Sequence, residues 1–470
     1  MKLMTSFKEA SVTMLASILT LMCSLTLNPS TGSGVLAVVL CLSLSRSQLD
    51  RDQRGRIEAA FALPVVSMIA VGVGFLLLHT PWLGAFVFVA GMFLSIWLRR
   101  FGDMAQRAGS LIALPFVALL TTPHISHHQN SAVPAVLIPV VIALLALLWV
   151  SLLHTAAFHL RFLKPVPKVQ TKSTASTKAK TESALKPIAS TRMAIQMAVA
   201  LGISFGIGYV YFPERWSWVV LTAFIVSAGN RGRLDVAYKS VLRVIGAAAG
   251  TLSAIAISTQ IESHALNHQI VVALILGALF LGIWLRPMGY GWWALFVTLT
   301  LALLQELAGT SALRILWPRL EEICIGAVIA VATAWFVLPV RSTAVLRKRL
   351  SQALASLSDA LDPAIPERKP DEFIAAVDAV EEIVPAFRAS RLVMRYTHDQ
   401  HPADWVDALL ACKNPAVTLI ECNATPGSAR RAVGAARKSL REPKDILLSL
   451  QELRSSLIDS EKTIHVNEHG

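Results

Sequence analysis

Residues 93–103 read FLSIWLRRFGD, and residues 280–290 read FLGIWLRPMGY. Seven of the eleven positions agree, and each copy is an apolar run that closes on Trp-Leu-Arg before it reaches a glycine. A phrase written twice at a wide interval marks an internal duplication, so the question is what kind of unit was duplicated.

The surroundings of the two copies answer it. Hydrophobic residues make up 54% of the chain and charged residues 16%, against the roughly 25% charged of an ordinary water-soluble domain. The apolar residues come in blocks, not in amphipathic stripes. Ala132–Leu152 holds no charge and His268–Leu285 is nearly as clean. About 20 such residues cross the roughly 30 Å of a bilayer's hydrocarbon core. Apolar segments fall near 10–27, 34–45, 59–79, 82–98, 109–121 and 132–155, then near 192–212, 216–229, 241–258, 268–285, 291–305 and 321–339. Each copy of the repeated phrase closes the fourth segment of its set. The basic start (Lys2, Lys8) also carries Glu9 and is followed by many spans, so the first segment reads as an uncleaved helix.

The expected fold is therefore an all-α integral membrane protein built from two tandem six-helix repeats, about 12 transmembrane helices, with a C-terminal helical cytoplasmic domain. The first repeat covers 8–160, a basic flexible linker rich in Lys, Ser and Thr covers 161–190, and the second repeat covers 191–340. Residues 341–470 change character. Their 18 Lys/Arg balance 18 Asp/Glu, and a helical stripe appears at Ile374, Val377, Val380, Ile383, Val384 and Phe387.

Alternate loops are basic, which sets the orientation. Arg46, Arg51, Arg54 and Arg56, then Arg99, Arg100 and Arg107, then the linker, then Arg231, Arg233, Lys239 and Arg243, then Arg286, then the tail all fall on one side. The opposite loops carry Arg215, Arg314 and Arg319. Both termini are expected in the cytoplasm, and the net charge of +13 is accounted for by topology and not by nucleic acid. With six spans per half, the two halves face the same way, the parallel repeat seen in some transporters. The five cysteines show no disulfide or metal spacing.

Short or interrupted spans at matching positions of two repeats point to a transporter's binding site. Here these are 34–45 with 216–229, and 109–121, interrupted by Pro115, with 291–305. They also fit plain short helices. Trp218 and Trp293 offer flat rings for an apolar or aromatic substrate, although Trp at span ends also anchors helices at the interface. Lys239 and Arg243 share one helical face with Gly246 and Gly250, which makes the arginine a candidate clamp for a carboxylate and the glycines a helix-packing seam. Snorkelling to headgroups is the competing account of those cations. Arg56 opens the third span of the first half as Arg243 does in the second. Arg286 and Gln196 complete the candidate substrate-binding set. Glu306 and Glu321, with Glu322 beside it, are the carboxylates available for proton coupling. HISHH at 124–128 lacks a nearby carboxylate or cysteine, so no metal site is expected. No phosphate-binding or hydrolase motif occurs, and neither enzymatic activity nor a cofactor is expected.

The stretch WSWVVLTAFIVSAGNRGRLDVAYKSVLRVIGAAAGTL (216–252), the residues WLRRFGDMAQRAGSLIALPFVALLTTP (97–123) and the duplicated halves resemble the fusaric acid resistance and aromatic acid exporter family over about residues 8–340. The resemblance implies a bacterial inner-membrane efflux protein for aromatic carboxylic acids and related toxic compounds. It also implies use of the proton gradient and often a periplasmic membrane-fusion partner. On this chain it points to Trp218, Lys239, Arg243, Gly246 and Gly250. Two departures stand out. Relatives often carry a large cytoplasmic domain between the halves, and Ala247 stands where Thr is common. A passive organic-anion channel and a non-transporting membrane scaffold are the alternatives, and a homo-oligomer is compatible with each.

The orientation is testable directly. Cysteines placed at 51 and 231 should be labelled by a membrane-impermeant reagent from the same side of the bilayer; labelling from opposite sides would end the parallel-repeat reading.

Overall fold

The computed structural model describes residues 2–47, 53–101, 103–121, 134, 137–163, 189–264, 268–307, 312–364, 370–394, 401–424, 426–441 and 445–469. Most of the linker expected at 161–190 and all of the histidine cluster at 124–128 lie outside the described residues. Among the described residues, regular structure is entirely helical.

The apolar blocks form α1 (Lys2–Leu27), α2 (Thr31–Ser47), α3 (Gln53–His79), α4 (Pro81–Trp97), α5 (Asp103–Thr121) and α6 (Ile138–His159). They continue as α7 (Ala189–Tyr211), α8 (Trp216–Ser227), α9 (Arg233–His264), α10 (His268–Leu285), α11 (Tyr290–Leu307) and α12 (Ala312–Phe336). Beyond them lie α13 (Ser342–Ala360), α14 (Asp371–Glu381), α15 (Val384–Val393), α16 (Pro402–Ala411), α17 (Lys413–Glu421), α18 (Gly427–Ser439) and α19 (Ile446–His469). The chain falls into two compact units. One comprises residues 1–165, 186–230 and 239–339; the other comprises 166–185, 231–238 and 340–470.

Among the described residues, seven helices are long and apolar enough to cross a membrane, including α1, α3, α4 and α9. Three shorter apolar helices accompany them at Gly32–Ser45, Trp216–Ser227 and Tyr290–Leu304. Phe61, Phe86, Val210, Leu252 and Val328 stand exposed on helix flanks, a surface suited to lipid and costly in water. The interruption expected at Pro115 is corrected. Helix α5 runs through Pro115 unbroken, because packed neighbours in a bundle stabilise a proline-containing span. The basic stretch 238–243 likewise lies inside the 32-residue α9 and does not precede it.

Packing within this unit has a reciprocal pattern. The start of α4 meets the end of α7. Trp82 and Tyr209 contact edge to face with centroids 5.3 Å apart, and the Tyr209 hydroxyl donates to the Pro81 carbonyl at 3.1 Å. The start of α1 meets the end of α10 in the same antiparallel sense. Phe7 lies 5.2 Å from the Trp284 ring, whose Nε1 donates to the Leu3 carbonyl at 3.1 Å. The repeated Trp-Leu-Arg phrase passes in both copies into a 3₁₀ turn, Leu98–Phe101 after α4 and Arg286–Met288 after α10. The first turn packs on α7 and the second on α1.

The second unit has its own apolar core, drawn from α13 to α19, in which Leu350, Leu354, Phe373, Val377, Leu409, Leu419 and Leu453 are all sealed from solvent. The stripe from 374 to 387 is broken at Ile383, where Pro385 near the start of α15 cannot continue α14. The HPAD sequence begins α16. His401 accepts from the Ala403 amide, and the Asp404 carboxylate accepts from the His401 amide, a reciprocal cap. Arg391 donates to both Asp404 and Asp407 across α15 and α16, and its hydrogen bond to Asp404 above all holds it over the usual arginine range.

Burial in this core pushes the Cys412 thiol up to about 12, whereas Cys422 is exposed. Near neutral pH a maleimide should modify Cys422 readily and leave Cys412 untouched until denaturant is added, as read by peptide mass spectrometry. Equal labelling of the two in the folded protein would contradict the packed core.

Candidate functional site

Helix α8 is the anomaly that builds the site. Its 12 residues span about 18 Å, well short of the roughly 30 Å hydrocarbon core. It is cut off after Ser227, where Gly229 takes a φ of +63° that turns the chain. The short helix lies tightly on α12. A Cβ on Gly326 would sit 2.6 Å from the Val219 carbonyl oxygen, so only glycine allows the approach. Helix α8 therefore packs closely along the flank of the longer α12.

At the start of α8 the Arg319 guanidinium lies over the Trp218 ring, 3.7 Å from its centroid. One turn along α12, the Glu322 carboxylate is 0% exposed, and its Oε1 lies 3.2 Å from Nε of Arg215 at the entry to α8. Arg243 enters from α9, about 15 Å along that helix from its start. Arg243 and Arg319 are both 2% exposed, and Arg319 senses the charges of both Arg243 and Glu322. Nε of Arg243 and both oxygens of Glu322 make no hydrogen bond among the described residues. The hydroxyls of Thr222, one turn from Trp218, and of Ser240, one turn from Arg243, are likewise buried and unused there.

Magnitudes decide what this cluster means. Taking a charge out of water costs several kcal/mol per ion, and a desolvated cation over an aromatic face regains about 2 kcal/mol. The Trp218 stack therefore covers part of the cost of one arginine. Two cations, Arg215 and Arg319, act on the buried carboxylate of Glu322, and Arg243 adds a third positive charge beside Arg319. The arrangement is a buried cluster of excess positive charge beside an aromatic ring, with the hydroxyls of Thr222 and Ser240 nearby. Chemically it suits a carboxylate attached to a flat apolar body.

The sequence-based candidates distribute as follows. Arg243 and Trp218 belong to the buried cluster. Gly246 and Gly250 lie against α11: a Cβ on Gly246 would stand 2.7 Å from the Ala294 Cβ and 2.8 Å from the Gly291 oxygen, and one on Gly250 would strike the Leu295 oxygen. Lys239 is half-buried and reaches the carbonyls of Ala228 and Gly229, each at 3.4 Å, where α8 ends. Gln196 donates to the carbonyls of Val337 (2.9 Å) and Leu338 (3.2 Å) and accepts from Asn230 at 3.1 Å, so its amide ties helix ends together. Arg286 lies 5.8 Å from the centroid of Trp293, whose ring faces α10 and not the cluster. The side chain of Glu306 is outside the described residues. Glu321 points outward and is exposed, while Glu322, one position on, turns inward. Arg319 and Glu322 are the members that sequence reasoning underweighted. Their i, i+3 spacing inside an apolar helix was the available signal.

Comparison with known proteins fits this assembly. Residues 198–333 match the family model described as fusaric acid resistance protein-like. The match takes in most of α7 and all of α8 to α11, together with Arg319, Glu322 and most of the rest of α12. No curated protein and no solved structure matches the chain. With its long apolar helices, the protein is a multi-pass, transporter-like membrane protein.

The glycine seam yields a direct test. Gly250→Val should overpack the α9–α11 contact, costing about 1–3 kcal/mol and lowering the melting temperature of the purified protein. Gly277→Ala, where the added methyl meets open space, is the matched control and should leave stability unchanged. Equal stability of the two variants would contradict the seam.

Proposed function

We propose that this protein is a secondary efflux transporter that carries aromatic carboxylic acids, or related amphipathic toxic anions, out across the bacterial inner membrane and draws on the proton gradient. The observation that carries the reading is the buried excess of guanidinium groups around Trp218. A small organic anion supplies the missing charge, and its ring finds an apolar, aromatic wall. The family match over the same helices supports the class of activity.

The tandem layout of two six-span halves, with both termini cytoplasmic, belongs to the same proposal. Its support is the reciprocal packing. The fourth helix of each half lies on the first helix of the other, and each Trp-Leu-Arg turn follows suit, as a twofold relation between halves requires. In this scheme residues 341–470 form the helical cytoplasmic domain. Substrate enters from the cytoplasm or inner leaflet, is held near Arg243, and leaves as the halves rock. Among the carboxylates proposed for proton coupling, Glu322 is the one in contact with the cations; Glu321 lies beside it, and Glu306 belongs to α11. A periplasmic membrane-fusion partner belongs to the proposal through the resemblance alone, and a homo-oligomer is compatible with it.

The test is export from cells lacking the chain and complemented with variants, with intracellular benzoate measured. Wild type should lower accumulation, and an uncoupler should abolish that effect. Arg243→Ala should cut export about tenfold while membrane abundance is retained, because deleting one of two like charges relieves repulsion. Normal export by Arg243→Ala would remove the cluster from the mechanism. Currents that follow the anion gradient with no proton dependence would replace the exporter with a channel.

A further inference from the structure

We infer that Glu322 is the resident anion of this arginine cluster, occupying the guanidinium groups until a substrate carboxylate takes its place. The inference rests on the anion-site reading above and assigns a particular role to one residue within it. Four observations lead to it. Glu322 is fully buried, and among the described residues of its unit it is the carboxylate sealed from solvent. It lies one turn from Arg319 on the same face of α12, within the field of that guanidinium and of Arg215. Among the described residues neither of its oxygens accepts a hydrogen bond, even with the Arg215 Nε at 3.2 Å. A carboxylate kept purely as a structural ion pair would be expected to hold aligned, two-point contacts with a guanidinium. This one is held by charge and not by geometry, so it is easily displaced.

The charged groups that face it divide into two sets. Arg215 approaches from the α7–α8 turn with its side chain 39% exposed, on the solvent side of Glu322. Arg319 lies on α12 itself and Arg243 behind it on α9, both buried, with Glu321 on the outer face. Arg215 thus pulls Glu322 toward solvent, and the buried pair pulls it inward. An incoming carboxylate that binds Arg243 and Arg319 leaves Glu322 to Arg215. The site then exchanges one anion for another without exposing bare charge, which keeps the cost of emptying it low. Replacing Glu322 removes a competitor for the substrate, whereas replacing Arg215 strengthens that competitor.

The two substitutions should therefore move affinity in opposite directions. Full-length protein in lipid nanodiscs is titrated with radiolabelled benzoate, with benzyl alcohol as the uncharged control. Glu322→Gln should tighten benzoate binding about tenfold, the worth of one charge-assisted contact, and Arg215→Gln should weaken it. A merely structural pair would lose affinity in both variants, and that result overturns the inference. If Glu322→Gln does not yield monodisperse protein, the double variant Glu322→Gln/Arg215→Gln restores the charge balance. It should bind benzoate more tightly than Arg215→Gln alone, and failure to do so is equally decisive. The failure of the underlying reading looks different: wild type binds no benzoate, or binds it with an affinity that Arg243→Ala leaves unchanged.

Discussion

Two guanidinium groups sealed from water beside a single carboxylate form the interaction on which the membrane unit turns. Charges are excluded from hydrocarbon by several kcal/mol each, so a fold that keeps Arg243 and Arg319 at 2% exposure must offset that cost locally. The rest of the local architecture serves that end. The short α8 ends at Ser227, Gly326 lets it press on α12, and Trp218 gives one arginine a flat surface that asks for no counter-charge. The hydroxyls of Thr222 and Ser240 lie one turn from the same centre with hydrogen-bonding capacity in hand.

Much of this was written in the sequence, and what escaped did so for identifiable reasons. Block hydrophobicity needs no knowledge of packing, so the apolar helices stood out, and the brevity of 216–229 was visible as a short run between Arg215 and the Asn-Arg-Gly-Arg loop. Arg243, Trp218, Gly246 and Gly250 could be named because they crowd one stretch of about thirty residues. Arg319 and Glu322 could not be ranked in the same way. They precede the apolar core of α12 in sequence, which reads as a solvated loop until α8 is seen to lie against that turn. Choosing between Glu321 and Glu322 depends on a rotation of about 100° around a helix, and a one-dimensional pattern with charges on both positions does not fix that phase. Gln196 shows the opposite error. A lone polar residue in a span invites a ligand, yet its amide is spent on Val337, Leu338 and Asn230.

The second unit follows simpler rules. A balanced complement of charges and a regular apolar stripe are enough to indicate amphipathic helices around a core, and Pro385 and Pro402 mark where helices must begin. Its ion pairs, such as Arg391 with Asp404 and Asp407, are exposed or half-exposed and shape the surface without deciding the fold.

The glycines have one more consequence. Gly326 locks α8 to α12, and Gly246 with Gly250 locks α9 to α11, so each pair behaves as a single stiff strut. Arg319 belongs to one strut and Arg243 to the other. The like charges of Arg243 and Arg319 therefore push the two struts apart. Under the proposed transport function a bound carboxylate would be the catch between them, and releasing the solute and parting the struts would be one mechanical event.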